Sequence, residues 1–502
     1  MNKNIKTGIV CLMLLALGIS SCKKFLNVNT NPNVAQTATV QTLLTGAELY
    51  VGSPVGVDLQ IDGSFWAQYW TENPGASQYI NLDLYSPTPD QFSTPWENLY
   101  QAGENFFQLY NLADTQKKKQ YMAIALLMKA YTFELITDGW GDVPYTQALK
   151  GQYANGHNVN PKYDSQMVVY NGIIANIDSA NALINPSDAV LPGADDLVYG
   201  GNMTNWQAFS NTLMLKVLLR MAYVNPTAAK AGIIALYATS PVFIDQGTDA
   251  FISYGSNASN RNPLYAEEVG LSYVQNLLGS KTVIDSMNSN SDPRVDLFFE
   301  PLASGAVVGL AQGNHNIAYN SGSSSIPSQY VAGDAQNSTS GNAPVNFMTS
   351  YESLFLQAEV AARGWANVGM DKTLFDTAIE RNFNYYNNQI VSSLGMSGMA
   401  AYNNYMAAGG HWTQYPAGAP VDTLIKFIIT QKWFAMCGNQ AFEAWCEWRR
   451  TGYPNFFVIS KTSLIGNSFP KRFTYPTNEA TTNASFPGLA PLTKDVWWDV
   501  IN

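Results

Sequence analysis

Residues 119–137 of the chain read KQYMAIALLMKAYTFELIT, and this stretch indicates the fold class. Its apolar residues lie on nearly all sides of a helix, which is typical of a helix buried in a large protein or of a membrane span. A membrane span needs about 20 predominantly apolar residues. Lys129 interrupts the apolar part at 123–133. We therefore predict a buried helix over 119–137.

Two further helices are predicted on the C-terminal side of this one. Apolar residues recur at helical spacing over 166–184, with Asp164 as the expected N-cap. Thr204-Asn205-Trp206-Gln207 has the form of a capping box and would open a helix over 204–222. The three helices recur about every 40 residues, a spacing typical of stacked helix pairs. We expect this helix-pair scaffold mostly within residues 40–225.

The rest of the chain also favours helices over strands. Residues 347–365 place apolar side chains on one helical face, and Gly364 supplies a stop signal. Sustained strand alternation is scarce, and long irregular stretches separate the helices, most clearly 305–344. Irregular loops of that length are usually functional or disordered. We predict a mainly α fold with helix pairs and long irregular loops, built as one compact unit without a flexible linker.

The N-terminus resembles the signal peptide of a bacterial lipoprotein. Lys3 and Lys6 form a positive region, and the apolar run at 8–18 has the length of a signal-peptide core. Ile19-Ser20-Ser21-Cys22 then resembles a lipobox, in which the cysteine is acylated and becomes the mature N-terminus. This predicts a signal peptide over 1–21 and a lipid-anchored mature chain over 22–502. The alternative is an ordinary secretory signal with a chance cysteine.

The anchor can be tested at Cys22. We expect the Cys22→Ala variant to lose fatty-acid labelling and to leave the membrane fraction, because acyl chains alone hold the mature chain. Retention of an unlabelled variant in the membrane would contradict the prediction.

Composition excludes several classes of protein. The net charge is -10, which argues against nucleic acid and polyanionic ligands because both need a basic surface. Charged residues make up 13% of the chain and aromatic residues also 13%, so recognition by hydrogen bonds and stacking is favoured over recognition by charge. Cys437 and Cys446 are expected to be buried free thiols. A disulfide becomes geometrically accessible only if Gly438-Asn439 breaks the helix between them.

Motifs for catalysis or metal binding are largely absent. The three histidines lie far apart and form neither HExxH nor paired Cys/His spacing. Glu443 and Glu447, four apart on a predicted helix, could serve as the carboxylate pair of a glycosidase. Ion pairing with Arg449 and Arg450 explains them more simply. No cofactor is expected, and a structural calcium in an Asp/Asn-rich loop stays open, although Ser289-Asn290-Ser291-Asp292-Pro293 lacks the EF-hand order.

Several phrases together resemble the SusD/RagB family of nutrient-binding outer-membrane lipoproteins, in its SusD-like branch. They occur in the family's order over nearly the whole mature chain. The phrases are Cys22-Lys23-Lys24-Phe25-Leu26, Asn29-Thr30-Asn31-Pro32-Asn33, Thr137-Asp138-Gly139-Trp140-Gly141-Asp142-Val143-Pro144-Tyr145, Asp292-Pro293-Arg294, Gln431-Lys432-Trp433, Glu443-Ala444-Trp445, Arg449-Arg450-Thr451-Gly452-Tyr453-Pro454 and Arg472-Phe473-Thr474-Tyr475-Pro476.

The resemblance implies a helical fold with tetratricopeptide-like pairs in its N-terminal half. It also implies a protein on the outer face of the outer membrane that captures oligomeric nutrient and passes it to a SusC-like, TonB-dependent transporter. We therefore expect a non-catalytic binding protein, with glycan favoured over peptide. The alternative function is a surface-anchored hydrolase on a helical scaffold.

The ligand site is predicted in the segment 62–96. Its aromatic residues could stack on sugar rings, while Asn73 and Asn81 could reach sugar hydroxyls, since ligand sites combine apolar walls with a few polar groups. The candidate aromatic residues are Trp66, Trp70, Tyr79, Tyr85 and Trp96. Tyr79 and Tyr85 are expected to be exposed. In the alternative, Trp66 and Trp70 form a core face and Trp96 anchors the next helix, and 305–344 becomes the next candidate site.

The phrase from 431 to 454 is predicted to be structural. Arg449, Arg450, Glu443 and Glu359 are charges among large aromatic residues, and a buried charge is tolerated only when it is paired. At least one arginine should therefore contact a carboxylate or the carbonyl groups of a helix end. We expect Arg449→Ala to lower the melting temperature in a thermal unfolding experiment. Four fully exposed, unpaired charges would contradict this interpretation.

Overall fold

The computed structural model describes residues 38–151, 157–318, 320 and 322–501, and these are mainly helical. The lipobox and Cys22 lie outside the described residues. The N-terminal helices are α1 Val40–Gly56, α2 Asp58–Trp66, α3 Ile80–Asp83, α4 Ser93–Thr115, α5 Lys119–Trp140, α6 Gln166–Asn181, α7 Met203–Arg220, α8 Pro226–Ala238 and α9 Pro263–Gly270. The later helices are α10 Lys281–Ser289, α11 Val295–Phe298, α12 Ser350–Arg363, α13 Asp371–Tyr385, α14 Asn387–Leu394, α15 Gly398–Ala408, α16 Val421–Ala435, α17 Ala441–Thr451 and α18 Thr477–Thr482.

The scaffold consists of helices that pack on one another in sequence order from α4 to α8, with α1 packed on α4. α1 packs on α4, α4 on α5, α5 on α6, α6 on α7, and α7 on α8. α5 is buried over most of its length, as its all-round apolar sequence predicted. The prediction of a mainly α fold with stacked helix pairs is confirmed. No helix within the described ranges has the length and apolar character needed to cross a membrane.

The predicted starts of α6 and α7 are wrong in detail. Asp164 does not cap α6, because its carboxylate accepts hydrogen bonds from Thr146 N and Oγ1, each at 2.7 Å. α7 begins at Met203, and its cap is Asn202, whose side chain accepts from Thr204 N and Asn205 N. The predicted capping box at 204–207 therefore lies inside the helix. Asn202, two residues upstream of Thr204, instead bonds the free backbone amides at the start of the helix.

The strands of the described chain are short and pair in twos. β1 Trp70–Glu72 pairs with β5 Leu277–Gly279, β2 Val143–Pro144 with β3 Tyr163–Asp164, and β4 Ala250–Ile252 with β6 Val345–Met348, all antiparallel. Phe347 and Met348 belong to β6, so the predicted helix over 347–365 starts too early. α12 begins after its cap Thr349 and ends at the left-handed Gly364, as predicted for the stop.

Buried apolar side chains form one cluster that extends from Val40 to Trp498. α2 crosses α17 in this cluster at a close approach, since a Cβ on Gly63 would lie 2.3 Å from the backbone nitrogen of Phe442. Cys437 and Cys446 are buried free thiols, as expected, although the chain does leave the helix between α16 and α17. The cluster brings α2 and the α16–α17 connection together, and this junction positions the site described next.

Candidate functional site

The aromatic residues predicted as a ligand platform lie in the core. Their exposed fractions are 2% for Trp66, 0% for Trp70, 7% for Tyr79, 2% for Tyr85 and 4% for Trp96. The expectation that Tyr79 and Tyr85 are exposed is wrong. None of the five rings offers a free face to a sugar, so the structure favours the alternative in which these residues are part of the core.

Partners from distant parts of the chain cover these rings. The Trp66 ring lies 4.9 Å from that of Trp445 and 5.5 Å from that of Phe473, centroid to centroid. The Trp96 ring contacts that of Trp140 at 5.3 Å. Aromatic pairs at such distances contribute stability beyond the area they bury.

The two asparagines that were predicted to contact the ligand are buried or half-buried. Asn73 is 5% exposed, and its Nδ2 donates to Gln275 O at 2.7 Å. Its Oδ1 accepts from Gly75 N at 2.9 Å, which stabilises the turn after β1. Asn81 is half-buried on α3. Asn73 borders a shallow depression of about 770 Å³ that also includes Gln275, Glu300 and Gln336.

A deeper cleft of about 360 Å³ lies where α1, α2, β6, α13 and the α16–α17 connection meet. Its volume is within the range of small-molecule sites. We call this the cleft. It is lined by Val55, Gly56, Gln60, Gln246, Gly247, Asp249, Phe251, Asn262, Leu264, Tyr330, Val331, Ala332, Ala343, Pro344, Val345, Asn346, Ser350, Arg381, Asn384, Tyr385, Tyr386, Gln389, Gly438 and Asn439.

The lining of the cleft is rich in carboxamide side chains and tyrosines. Tyr385 Oη donates to Asn346 Oδ1 at 2.7 Å, which fixes the orientation of that amide. Asn346 Nδ2 is buried and has no hydrogen-bond partner. Tyr351 Oη donates to Asn439 Oδ1 at 3.1 Å, and Asn439 Nδ2 donates to Tyr386. An unsatisfied buried donor costs about 1–3 kcal/mol, and a ligand oxygen or a water would relieve that cost.

The cleft has few charged side chains. Among its described lining residues, Asp249 is the single carboxylate and Arg381 the single cation. Asp249 accepts from Ser350 N at 2.6 Å and from Ser350 Oγ at 2.8 Å, and burial raises the pKa of its carboxyl. Arg381 pairs with Asp245 at 2.8 Å. Such a lining is suited to binding a neutral polar molecule, whereas glycoside hydrolysis by paired acids requires a second carboxylate.

Glu443 and Glu447 belong to a buried ion-pair network beneath the cleft. Arg220 contacts both at 2.6 Å, and Arg450 pairs with Glu447 at 2.5 Å and with Glu359 at 2.6 Å. The prediction that an arginine of 431–454 contacts a carboxylate is confirmed. Glu443 and Glu447, considered above as a catalytic pair, are therefore engaged in ion pairs.

The contacts of Arg449 also agree with the prediction that an arginine of 431–454 meets helix-end carbonyls. Its Nη1 donates to Asp138 O at 2.8 Å and to Lys471 O at 3.0 Å, and its guanidinium lies 3.5 Å from the centroid of the Trp445 ring. Asp138 lies in the last turn of α5, so this contact is with a helix-end carbonyl.

One acid of the Asp/Asn-rich loop considered for calcium is engaged in an ion pair. Asp292 forms an ion pair with Arg294 at 2.6 Å, and both side chains are buried. Among the residues that the structure describes, no group of three or more His, Cys, Asp or Glu side chains is placed to hold a metal ion.

Sequence reasoning missed most residues of the cleft. Tyr385, Asn346 and Arg381 belong to no recognisable motif, and their neighbours in space are distant in sequence. Tyr330 and Pro344 are partial exceptions because they belong to 305–344, the next candidate site. The length of that irregular stretch was the feature of the sequence that pointed to these two residues.

Comparison with known proteins gives one family and several solved structures of the same fold. Residues 32–476 match the model of a SusD-like family described as "Starch-binding associating with outer membrane". No curated protein matches the sequence. A "chitin-binding protein" of known structure is 22% identical, with a TM-score of 0.76 over 92% of this chain and 100% of that one.

Two further structures are similar. A chitin-binding SusD homologue from Flavobacterium johnsoniae is 22% identical, with a TM-score of 0.71 over 91% of this chain and 99% of that one. A SusD homologue from Bacteroides fragilis is 21% identical, with a TM-score of 0.74 over 92% and 99% of the two chains. At these identities, the similarity shows a common fold.

Proposed function

Because the chain belongs to the SusD-like family, we propose that it is an outer-membrane binding protein for a neutral oligosaccharide, which it holds in the cleft. The observation that carries this proposal is the chemistry of the cleft lining. Carboxamides match sugar hydroxyls, tyrosine rings match the apolar faces of sugars, and the lining includes one carboxylate, Asp249, and one cation, Arg381. The family description and the chitin-binding relatives support glycan over peptide.

The ligand class is tested by calorimetric titration of a secreted form, with Cys22→Ser, against chitohexaose, maltohexaose and a mixture of neutral peptides. Saturable binding of either oligosaccharide supports the proposal. Binding of peptides alone would contradict the assignment to glycans. Release of new reducing ends during incubation would favour the hydrolase alternative instead.

The location of the site is tested at Tyr330, which is half-buried at the cleft. We expect Tyr330→Ala to weaken oligosaccharide binding about tenfold, a loss of about 1.4 kcal/mol, because the ring face is removed. Tyr273, which is 45% exposed and lies outside the cleft, provides the control. If Tyr273→Ala weakens binding and Tyr330→Ala does not, the site is elsewhere.

We also propose that the protein is lipid-anchored at Cys22, faces the cell exterior and delivers its ligand to a SusC-like, TonB-dependent transporter. The lipobox and the family membership support this partner. Co-purification of such a transporter with the tagged lipoprotein from detergent-solubilised outer membranes is the expected result. Its absence from crosslinked and uncrosslinked membranes would contradict the proposed partnership.

A further inference from the structure

A tight turn over 245–248 lies at the rim of the cleft. Asp245 N donates to Thr248 Oγ1 at 2.9 Å, and Thr248 N donates back to Asp245 O at 2.9 Å. Gly247 has a φ of +81°, in the left-handed region that glycine adopts without strain. Gln246 and Gly247 line the cleft, and both are exposed, as is Asp245. We call Asp245, Gln246 and Gly247 the turn tip, which is an exposed part of the cleft wall.

The base of this turn is held by other parts of the chain. Thr248 O accepts from Tyr199 Oη at 2.8 Å. Asp249, the next residue, accepts from Ser350 N at 2.6 Å and from Ser350 Oγ at 2.8 Å. On the other side of the turn, Ile244 is 0% exposed. Because the base is fixed in this way, movement of the turn is expected in its tip.

Arg381 of α13 connects the turn tip to the rest of the protein. Its Nη1 donates to Gln246 Oε1 at 2.6 Å, and its Nη2 pairs with Asp245 Oδ1 at 2.8 Å. Among the described residues, Arg381 is the one residue outside 245–248 that forms a hydrogen bond or an ion pair with the tip. A Cβ added to Gly247 would meet no atom within 4 Å, so there is open space beside the tip. The position of the tip therefore depends on Arg381.

The contacts of Arg381 are specific in geometry but weak in energy. The planar guanidinium donates to two adjacent residues at once, which fixes their position relative to α13. The Asp245 side chain is 61% exposed and that of Arg381 is 15% exposed. An ion pair with an exposed partner is weak and is screened by salt. A tip released from Arg381 would be mobile, and a ligand would have to order it on binding, which lowers affinity.

We propose that Arg381 is a positioning residue of the cleft: by bonding Asp245 and Gln246, it holds the turn tip in place as part of the wall that meets the ligand. This inference rests on the proposed function of the cleft. It gives the single cation of the described cleft lining a role that does not require a charged ligand.

Direct contact between Arg381 and the ligand is the alternative. Arg381 lines the cleft, and within the described part of the chain its Nε is buried without a hydrogen-bond partner. Asp245 does not belong to the cleft lining. A substitution at Asp245 therefore removes the ion pair and leaves the guanidinium available to a ligand, so Asp245→Ala separates the two roles.

The first measurement uses the secreted full chain with Cys22→Ser and no ligand. Hydrogen exchange of the backbone amides over 245–248 is compared in the wild type, in Arg381→Ala and in Lys372→Ala. Lys372 provides the control because it is on the same helix and pairs with Asp376 outside the cleft. We expect faster exchange over 245–248 in Arg381→Ala and wild-type exchange in Lys372→Ala. Unchanged exchange in Arg381→Ala would overturn the inference.

The second measurement is chitohexaose affinity by calorimetry, with Asp245→Ala added. We expect Arg381→Ala to weaken binding about fivefold and Asp245→Ala about threefold, since the second variant keeps the bond to Gln246. The double variant should bind no more weakly than Arg381→Ala, because both substitutions break one shared interaction. Raising sodium chloride from about 0.02 M to about 0.5 M should weaken binding to the wild type but not to either single variant, because the ligand is neutral and the ion pair is screened.

Two outcomes separate this inference from its alternatives. Wild-type affinity in Asp245→Ala, together with weaker binding in Arg381→Ala, would show direct contact with the ligand and overturn the positioning role. If Arg381→Ala does not fold, Asp245→Ala, at an exposed position, decides the question by its affinity and its salt dependence. If chitohexaose does not bind to the wild type, the ligand assignment fails, while exchange over 245–248 still decides whether Arg381 holds the turn tip.

Discussion

Replacing Arg220 with alanine is expected to lower the free energy of unfolding by about 3–5 kcal/mol, because it leaves buried carboxylates without their cation. Arg220 is 1% exposed. Its Nε contacts Asp138 at 3.1 Å, Nη1 contacts Glu447 at 2.6 Å and Nη2 contacts Glu443 at 2.6 Å. Urea denaturation followed by circular dichroism measures the change.

The matched control for Arg220→Ala is the exposed pair of Lys281 and Asp285. Their side chains are 57% and 53% exposed at a separation of 2.6 Å. Lys281→Ala should change the free energy of unfolding by no more than about 0.5 kcal/mol, since water already solvates both charges. Equal, small effects of the two substitutions would show that the buried network contributes little.

The buried network of Arg220, Glu443 and Glu447 also makes stability depend on pH. Burial alone would raise the pKa of Glu443, but Arg220, Lys216 and Lys432 outweigh it and hold that pKa below its usual value. Its contribution to stability is therefore complete above the unfolded pKa of about 4.3 and is lost as the pH falls below it.

Replacing Trp70 with alanine is expected to cost about 3–5 kcal/mol of stability, the usual range for a large aromatic residue removed from a core. The Trp70 side chain is 0% exposed, and its strand pairs with β5. We expect the oligosaccharide affinity of the folded variant to change little. Thermal unfolding and calorimetric titration of the same sample measure the two quantities separately.

Tyr273→Ala serves here too as the surface control, and it should leave stability within about 0.5 kcal/mol of the wild type. A Trp70→Ala variant that keeps its stability but loses oligosaccharide binding would restore the site predicted from 62–96. The comparison therefore decides between a structural and a binding role for this tryptophan.

Local patterns in the sequence were sufficient for one buried helix and for the end of another. The all-round apolar run at 119–137 became α5, and Gly364 ended α12, because helical periodicity and left-handed glycine are properties of neighbouring residues. The start of α7 was placed less well, since Asn202 and the 204–207 box are competing caps only two residues apart. The pairing of the 431–454 charges was also predicted, because a charged side chain buried among aromatic residues needs an opposite charge or a hydrogen-bond partner.

The position of the cleft, the proposed ligand site, was decided by tertiary structure alone. Trp66 could face solvent or the core, and Trp445 and Phe473, hundreds of residues away, cover its ring. The cleft likewise combines Gln60, Asn346 and Asn439, which no spacing in the sequence connects. A helix is specified by contacts over three or four residues, whereas a cavity is the space left where distant segments pack, so its lining is known only when the packing is known.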